Sequence, residues 1–107
     1  MMDYPKEILK ELKGLLFQKY KEEIKDVILF GSKLSGKADI DSDYDILILL
    51  KRPKNWRLER EISDICYEID LKYGILTDTH ILSEDELEKP RGKQPIFINA
   101  ISHGFHA

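Results

Sequence analysis

The sequence contains very little cysteine and no long hydrophobic run. Its one cysteine, Cys66, has no partner for an internal disulfide, and no group of cysteines and histidines has the spacing of a structural zinc site. The longest apolar run, Ile46 to Leu50, is far shorter than the roughly 20 residues needed to span a bilayer. The start of the sequence contains Asp3 and Pro5 instead of a basic and then apolar leader. We therefore expect a cytoplasmic protein with no membrane span.

An excess of positive charge is also missing. Charged residues make up 35% of the 107 residues, yet the formal net charge is -3. Domains that bind long DNA or RNA usually have a basic surface, so a long nucleic acid is a poor candidate for the partner. The length fits a single domain, residues 1–107, and a hydrophobic content of 42% is enough for one core.

The hydrophobic periodicity predicts a leading helix and three strands. An apolar stripe that ends at Ile24 predicts an amphipathic helix from Pro5 to about Lys25. Short apolar runs predict strands over residues 27–30, 44–50 and 75–82. The second run is apolar on both faces, which is typical of an interior strand.

A second long helix is predicted between the second and third strands. Asn55 can serve as its N-cap, and Gly74 follows its last turn. Cys66 lies on the apolar stripe of this helix, where we expect a small buried residue and not a nucleophile.

The remaining residues predict two short helices. Ser83 and Glu86 have the spacing of a capping box at a helix start. A last helix is predicted over residues 96–103, with Gly104 as its terminator and a short strand or frayed end after it. The order of elements predicts an α/β (α+β) domain, in which a small mixed sheet has helices packed on one face.

Two aspartates precede the apolar part of the second strand. Asp43 and Asp45 are two residues apart, so on an extended chain their side chains emerge on one face about 7 Å apart. Aspartate is disfavoured in strands, and neighbouring carboxylates repel each other unless one is protonated or a cation lies between them. An Asp-x-Asp pair alone is common on solvated loops. Because a third aspartate, Asp78, lies in the next strand, we predict that Asp43, Asp45 and Asp78 bind a divalent metal.

A glycine and a serine follow the first strand. Gly31 lets the backbone approach a ligand closely, and the amides at the next helix start, with the Ser32 hydroxyl, can bind phosphate oxygens. By itself this pattern also fits an ordinary turn in which Ser32 caps one helical turn over residues 32–36. Together with the aspartates it predicts phosphoryl or nucleotidyl transfer, with the triphosphate on Gly31 and Ser32 and the metal bridging its phosphates.

The histidines are weaker candidates. His80 projects on the same strand face as Asp78, and we expect it to be packed or solvated near the sheet edge. His103 and His106 lie beside the end of the sequence, and no role is predicted for them.

The combined pattern resembles a known superfamily. Gly31-Ser32, ten intervening residues and Asp43-Tyr44-Asp45 are similar to the signature of the DNA polymerase β nucleotidyltransferase superfamily, and Gly36 and Ser42 also fall on its pattern. Over nearly its whole length the chain resembles the minimal, MNT-type branch. The resemblance implies a nucleotidyltransferase fold like the polymerase β palm. The nucleotide contacts that it implies are Gly31, Ser32, Lys33 and Ser42.

The resemblance also implies residue roles. In the family the first two aspartates bind the metal ions, and the third, matched by Asp78, assists the metal that activates the attacking hydroxyl. Positions that are often arginine in the family are Lys33 and Ser35 here. Contact with the triphosphate then falls to Lys33 or Lys37, or is weaker than usual.

A partner and a reaction follow from the same resemblance. MNT-type proteins are typically paired with a small helical HEPN-type RNase toxin. The resemblance implies a Mg²⁺-dependent protein adenylyltransferase that moves AMP from ATP to a tyrosine of such a toxin and so acts as its antitoxin, in a hetero-oligomer. The alternative is a non-catalytic antitoxin that neutralises a HEPN-type partner by binding alone.

Overall fold

The computed structural model describes residues 4–31, 33 and 43–107. Its elements, in chain order, are helix α1 (Tyr4–Tyr20), a 3₁₀ turn (Lys21–Glu23), strand β1 (Ile24–Phe30), strand β2 (Tyr44–Leu50), helix α2 (Trp56–Tyr73), strand β3 (Thr77–Ser83), a second 3₁₀ turn (Glu84–Glu88), helix α3 (Pro95–His103) and strand β4 (Phe105–His106). None of the helices in these ranges is long and apolar enough to cross a membrane.

The four strands form one mixed sheet in the order β3-β2-β1-β4. β1 runs antiparallel to β2 and β4, whereas β2 and β3 are parallel and are joined by α2. A parallel pair needs such a crossover connection, and α2 supplies it. β2 is an interior strand as predicted, because β3 and β1 flank it, and its residues Ile46 to Leu50 are all buried.

Helices cover both faces of the sheet. α1 and α2 pack on one face, where Leu12 and Ile62 lie in the same core as Ile48 of β2. α3 packs on the opposite face, where Phe97 shares a smaller core with Leu47. The α/β class with a small mixed sheet is confirmed, and both long helices lie on one face as expected. α3 lies on the opposite face instead. Alternate residues of β1 and β2 are apolar on that second face as well, and those side chains also need to be covered.

The prediction that the first helix extends to about Lys25 was wrong. The helix ends at Tyr20, and Lys21 adopts a left-handed backbone with φ 52. Ile24 is the first residue of β1 and pairs with Leu50. Its apolar side chain suits a helical stripe and a buried strand equally well, and pairing with β2 decides between them.

The prediction for the second long helix is confirmed at both ends. The Leu58 amide donates a hydrogen bond of 2.9 Å to Oδ1 of Asn55, and Gly74 ends the helix in the left-handed conformation with φ 67. Cys66 is buried on this helix, as expected, and burial raises the pKa of its thiol to about 11.

The C-terminal elements were largely predicted. The capping box of Ser83 and Glu86 is present, although it opens a 3₁₀ turn instead of an α-helix. α3 starts one residue earlier than expected, at Pro95, since proline suits the first helical position. Gly104 caps the helix, and the short strand after it pairs with Ile28 and Leu29 of β1.

Candidate functional site

One end of the sheet collects several residues that the sequence analysis singled out. Because β1 runs antiparallel to β2 and β2 parallel to β3, the last residues of β1 lie beside the first residues of β2 and β3. Phe30 pairs with Asp45, and Asp45 pairs with Asp78. Gly31, Asp45 and Asp78 are therefore brought together from three neighbouring strands, with Asp43 directly before β2.

The side chains of Asp45 and Asp78 project from the face of the sheet that α3 covers. Residues paired in register project to the same side of a sheet, and residues two apart on a strand share a face. Phe30 and Leu47 both belong to the core under α3. Asp45 is paired with Phe30 and is two residues before Leu47, so it shares their face, and Asp78 beside it does too.

Gly31 brings the backbone against the carboxylate of Asp45. Its φ of 78 lies in the left-handed region, which glycine adopts without steric cost. A Cβ atom at this position would collide with Oδ2 of Asp45. The turn after β1 therefore needs glycine for its backbone conformation and for the space that the carboxylate occupies.

Asp45 is the most enclosed of the three aspartates. It is half-buried, whereas Asp43 and Asp78 are exposed. Partial burial raises the pKa of the Asp45 carboxyl, the negative charge of Asp78 raises it further, His80 opposes the change, and Asp43 adds to it. The neighbouring aspartates are thus close enough to disfavour the charged form of Asp45.

The chemistry of the three aspartates, Asp43, Asp45 and Asp78, fits a divalent cation. Carboxylate oxygens are the ligands that Mg²⁺ prefers, and a cation would replace the repulsion that raises the pKa of Asp45 with attraction. Within residues 4–31, 33 and 43–107, no three histidine, cysteine, aspartate or glutamate side chains form a complete metal site as they stand. The binding of a metal by Asp43, Asp45 and Asp78 stays a prediction.

His80 lies between the carboxylates and the core under α3. Its ring centroid is 6.1 Å from that of Phe30 and 5.6 Å from that of Phe97. Its Nε2 atom is 3.6 Å from Oδ2 of Asp78. The expected packing of His80 on the edge strand is present, and the same ring lies next to the carboxylate of Asp78.

The remaining predicted nucleotide contacts are only partly described. Lys33 places its Nζ atom 5.2 Å from the centroid of the Tyr44 ring, next to the start of β2. Ser32 and Ser42 lie outside the described residues, as do Gly36, Lys37 and the predicted helical turn over 32–36. The roles of Gly31, Ser32, Lys33 and Ser42 in nucleotide binding stay predictions.

A cavity of about 630 Å³ opens between the end of β1 and helix α3. The sheet contributes Phe30, Gly31 and Asp45 to its lining, and the helix contributes Ile96, Asn99, Ala100 and His103. The cavity therefore extends from Gly31 and Asp45 along one side of α3. A small molecule could occupy it while one end contacts Gly31 and Asp45.

The residues of α3 that line this cavity were not predicted from the sequence. Ile96, Asn99 and His103 recur at intervals of three and four residues, so they share one side of α3. That spacing was visible, and it runs beside the buried stripe of Phe97 and Ala100. The sheet face that α3 covers depends on tertiary packing, and the cavity depends on that choice.

Comparison with known proteins finds a matching family and similar proteins. The profile of the nucleotidyltransferase domain family matches residues 6–103. "Putative protein adenylyltransferase MJ0141" of Methanocaldococcus jannaschii is 40% identical over 70 residues, which are 65% of this chain and 71% of that protein. A second protein of the same organism, MJ0604, carries the same descriptive name and is 35% identical over 81 residues, which are 76% of this chain and 76% of that protein.

A solved structure has a similar fold. It is a crystal structure of a toxin-antitoxin with AMP-PNP, in which one chain is similar to this chain with a TM-score of 0.57. The likeness covers 91% of this chain and 70% of that chain, at 15% sequence identity. At so low an identity the likeness shows a shared arrangement of strands and helices.

Proposed function

The chain belongs to the nucleotidyltransferase domain family, and on that basis we propose that it transfers AMP from ATP to a tyrosine of a HEPN-type RNase toxin. In this proposal the protein is the antitoxin of a hetero-oligomeric pair in the cytoplasm. The names of its relatives support adenylyl transfer to a protein. The toxin-antitoxin neighbour with a bound ATP analogue supports the kind of partner and the nucleotide.

The observation that carries the proposal is the placement of Asp45 between Gly31 and Asp78. A backbone turn without a side chain lies on one side of this carboxylate, and a second carboxylate lies on the other. Nucleotidyl transfer needs a surface for the triphosphate and anionic ligands for a metal, close to each other. The Gly31 turn and the neighbouring aspartates are our candidates for these two parts.

In the proposed arrangement the triphosphate lies on the backbone at Gly31 and Ser32, with Lys33 and Ser42 nearby. Mg²⁺ held by Asp43, Asp45 and Asp78 would neutralise charge on the phosphates and favour the ionised form of the attacking hydroxyl. The tyrosine oxygen forms a bond to the α-phosphorus, the bond from that phosphorus to the bridging oxygen breaks, and pyrophosphate leaves.

Asp78 lies on the side from which the acceptor would come. β3 is an edge strand, and the Asp78 side chain is 53% exposed. An acceptor side chain can therefore reach Asp78 without displacing the core, and the carboxylate can accept the proton of the incoming hydroxyl. The partner protein supplies the alignment of that hydroxyl with the α-phosphorus.

The proposal is tested by incubating the protein with a HEPN-type protein from the adjacent gene, ATP and Mg²⁺. Intact-mass spectrometry should show one or more added AMP units on the partner, and none when Asp45→Asn replaces the wild type. Neutralisation by contact alone predicts a different result. In that case the Asp45→Asn variant inhibits the unmodified partner as fully as the wild type does, and no mass change occurs with either protein.

A further inference from the structure

The cavity beside Gly31 continues from the end of β1 along helix α3. One of its sides is a wall on α3 formed by Ile96, Asn99 and His103, which we name the α3 wall. Helices rise 1.5 Å per residue, so this wall is about 10 Å long. It is long enough to lie alongside a base and its ribose.

In the proposed function, the cavity lies on the side of the site where we place the nucleotide. It contacts Phe30 and Gly31 at the end of β1, whereas Asp78 lies two strands away along the sheet on the edge strand β3. With the triphosphate on Gly31 and the acceptor approaching from β3, the part of the nucleotide that remains is its nucleoside. Among the residues that the structure describes, the cavity offers a space next to Gly31 for it.

The lining suits a flat heteroaromatic ring. Ile96, Ala100 and Phe30 present apolar surface, and the volume of about 630 Å³ is in the usual range for small-molecule sites. Asn99 adds an amide, which offers one hydrogen-bond donor group and one acceptor side by side. Adenine presents a matching pair, an amino donor next to a ring-nitrogen acceptor, on each of its two polar edges, whereas guanine presents such a pair only at O6 and N1, because its N7 and O6 are both acceptors.

We propose that the cavity binds the adenine base and that Asn99 contacts the amino group and the neighbouring ring nitrogen of the base. The proposal rests on the proposed function, because it takes Gly31 as the triphosphate end of the site. It adds the base-binding surface and a residue that contacts the base to that function. Ile96 packs against the ring, and Asn99 pairs with its polar edge.

The test is a change of nucleotide preference in Asn99→Asp. A carboxylate only accepts hydrogen bonds, so it loses the donor that adenine needs and gains a match to the N1 and amino donors of guanine. The ratio of ATP to GTP affinity, measured by calorimetry with Mg²⁺, should fall by roughly 5- to 100-fold, the usual worth of a bidentate base contact. Any general effect of the added charge cancels in this ratio.

Ser102→Asp is the matched control. Ser102 is exposed on the same helix, three residues after Asn99, and is not among the residues that line the cavity. It adds the same charge near the site, and the ATP to GTP ratio should stay within about twofold of the wild type. Mg²⁺ with tripolyphosphate, which has no base, should bind the wild type and both variants with similar affinity.

The outcomes separate this inference from the proposed function. If the wild type binds ATP and the ratio is unchanged in Asn99→Asp, the base lies elsewhere and only the inference is overturned. A ratio that falls equally in Ser102→Asp also overturns it, because charge alone then explains the change. If the wild type binds neither ATP nor tripolyphosphate, the proposed function itself is lost.

Discussion

Asp45 and Asp78 are direct neighbours in the parallel ladder of β2 and β3, so that two carboxylates lie side by side on one face of the sheet. Like charges directly opposite each other destabilise a sheet. The repulsion is visible in the raised pKa of Asp45, to which burial and the charge of Asp78 both contribute. A pair that costs folding free energy in this way is typical of a site whose anions serve a cation.

We expect Asp45→Asn to stabilise the metal-free protein and to weaken nucleotide binding. The amide removes the repulsion with Asp78, so the free energy of unfolding in EDTA should rise by about 0.5–1 kcal/mol. Affinity for ATP with Mg²⁺ should fall at least tenfold, because a charged contact worth about 1.5–3 kcal/mol is lost. Urea denaturation and calorimetry measure the two effects.

Asp64→Asn provides the control for that experiment. Asp64 is an exposed carboxylate on α2. Its replacement should change neither quantity, since surface substitutions usually act within about 0.5 kcal/mol. Equal ATP affinity in wild type and Asp45→Asn would contradict the metal-binding role of Asp45.

Gly31→Ala should lose both stability and nucleotide affinity, whereas Gly74→Ala should lose only stability. Both glycines have a left-handed backbone, with φ 78 and φ 67, so each substitution should cost about 1–2 kcal/mol in strain. At Gly74 the added methyl group meets open space, but at Gly31 it displaces the carboxylate of Asp45. Calorimetric titration with ATP and Mg²⁺ distinguishes them, and equal affinities in the two variants would show that the turn at Gly31 is only structural.

Much of the fold could be predicted from local sequence signals. Asn55 and Gly74 mark the ends of α2 because caps depend on the residue itself and its nearest neighbours. The end of α1 was placed too late, because pairing of Ile24 with Leu50 is a contact between distant residues. The side of the sheet that α3 covers is also tertiary.

The candidate site was likewise predictable where it depends on local spacing, and was not where it depends on tertiary contacts. The spacing of Asp43 and Asp45 could be recognised in the sequence, although only Asp45 lies within β2, which begins at Tyr44. That Asp78 lies opposite Asp45 depends on the register of β2 and β3, which a single strand pattern does not determine. Asn99 enters the cavity only because α3 covers this face. The chemical roles of these residues stay predictions.

His106 should make the attachment of β4 dependent on pH. A hydrogen bond to the Asp26 carboxylate raises the pKa of His106, burial opposes this, and the carbonyl of Ile101 at 2.9 Å raises it further. The folded state therefore binds the proton more tightly than the unfolded state. The stability gained is fully present below the unfolded value of 6.5 and is lost as the pH rises through the raised folded pKa.

Urea denaturation at about pH 6 and about pH 9 measures this contribution. The difference in unfolding free energy between wild type and His106→Gln should be largest at the lower pH, at most about 1 kcal/mol because the pair is partly exposed to solvent. Asp26→Asn should remove the same pH dependence, since it removes the charge that holds the proton. An unchanged difference at both values of pH would show that the pair does not titrate in this range.

Asp78→Asn should separate the transfer step from nucleotide binding. Asp78 lies on the edge strand and is exposed, on the side from which an acceptor hydroxyl would approach, whereas Asp45 lies against the Gly31 turn. Loss of Asp78 should therefore lower the rate of AMP transfer at saturating ATP by roughly 10²–10⁴-fold, the usual worth of a positioned proton acceptor. The affinity for ATP with Mg²⁺ should fall much less than in Asp45→Asn, because Asp45 keeps its place and loses a repulsive neighbour that raises its pKa. Initial rates of partner modification and calorimetric affinities, measured on the same protein samples, give the two numbers.

The control for Asp78→Asn is Glu84→Gln, which removes an exposed carboxylate just beyond the other end of β3 and should change neither the transfer rate nor the ATP affinity. A transfer rate that is unchanged in Asp78→Asn would exclude its proposed role at the acceptor, and an equal loss of ATP affinity in Asp45→Asn and Asp78→Asn would show that both carboxylates serve the nucleotide alone.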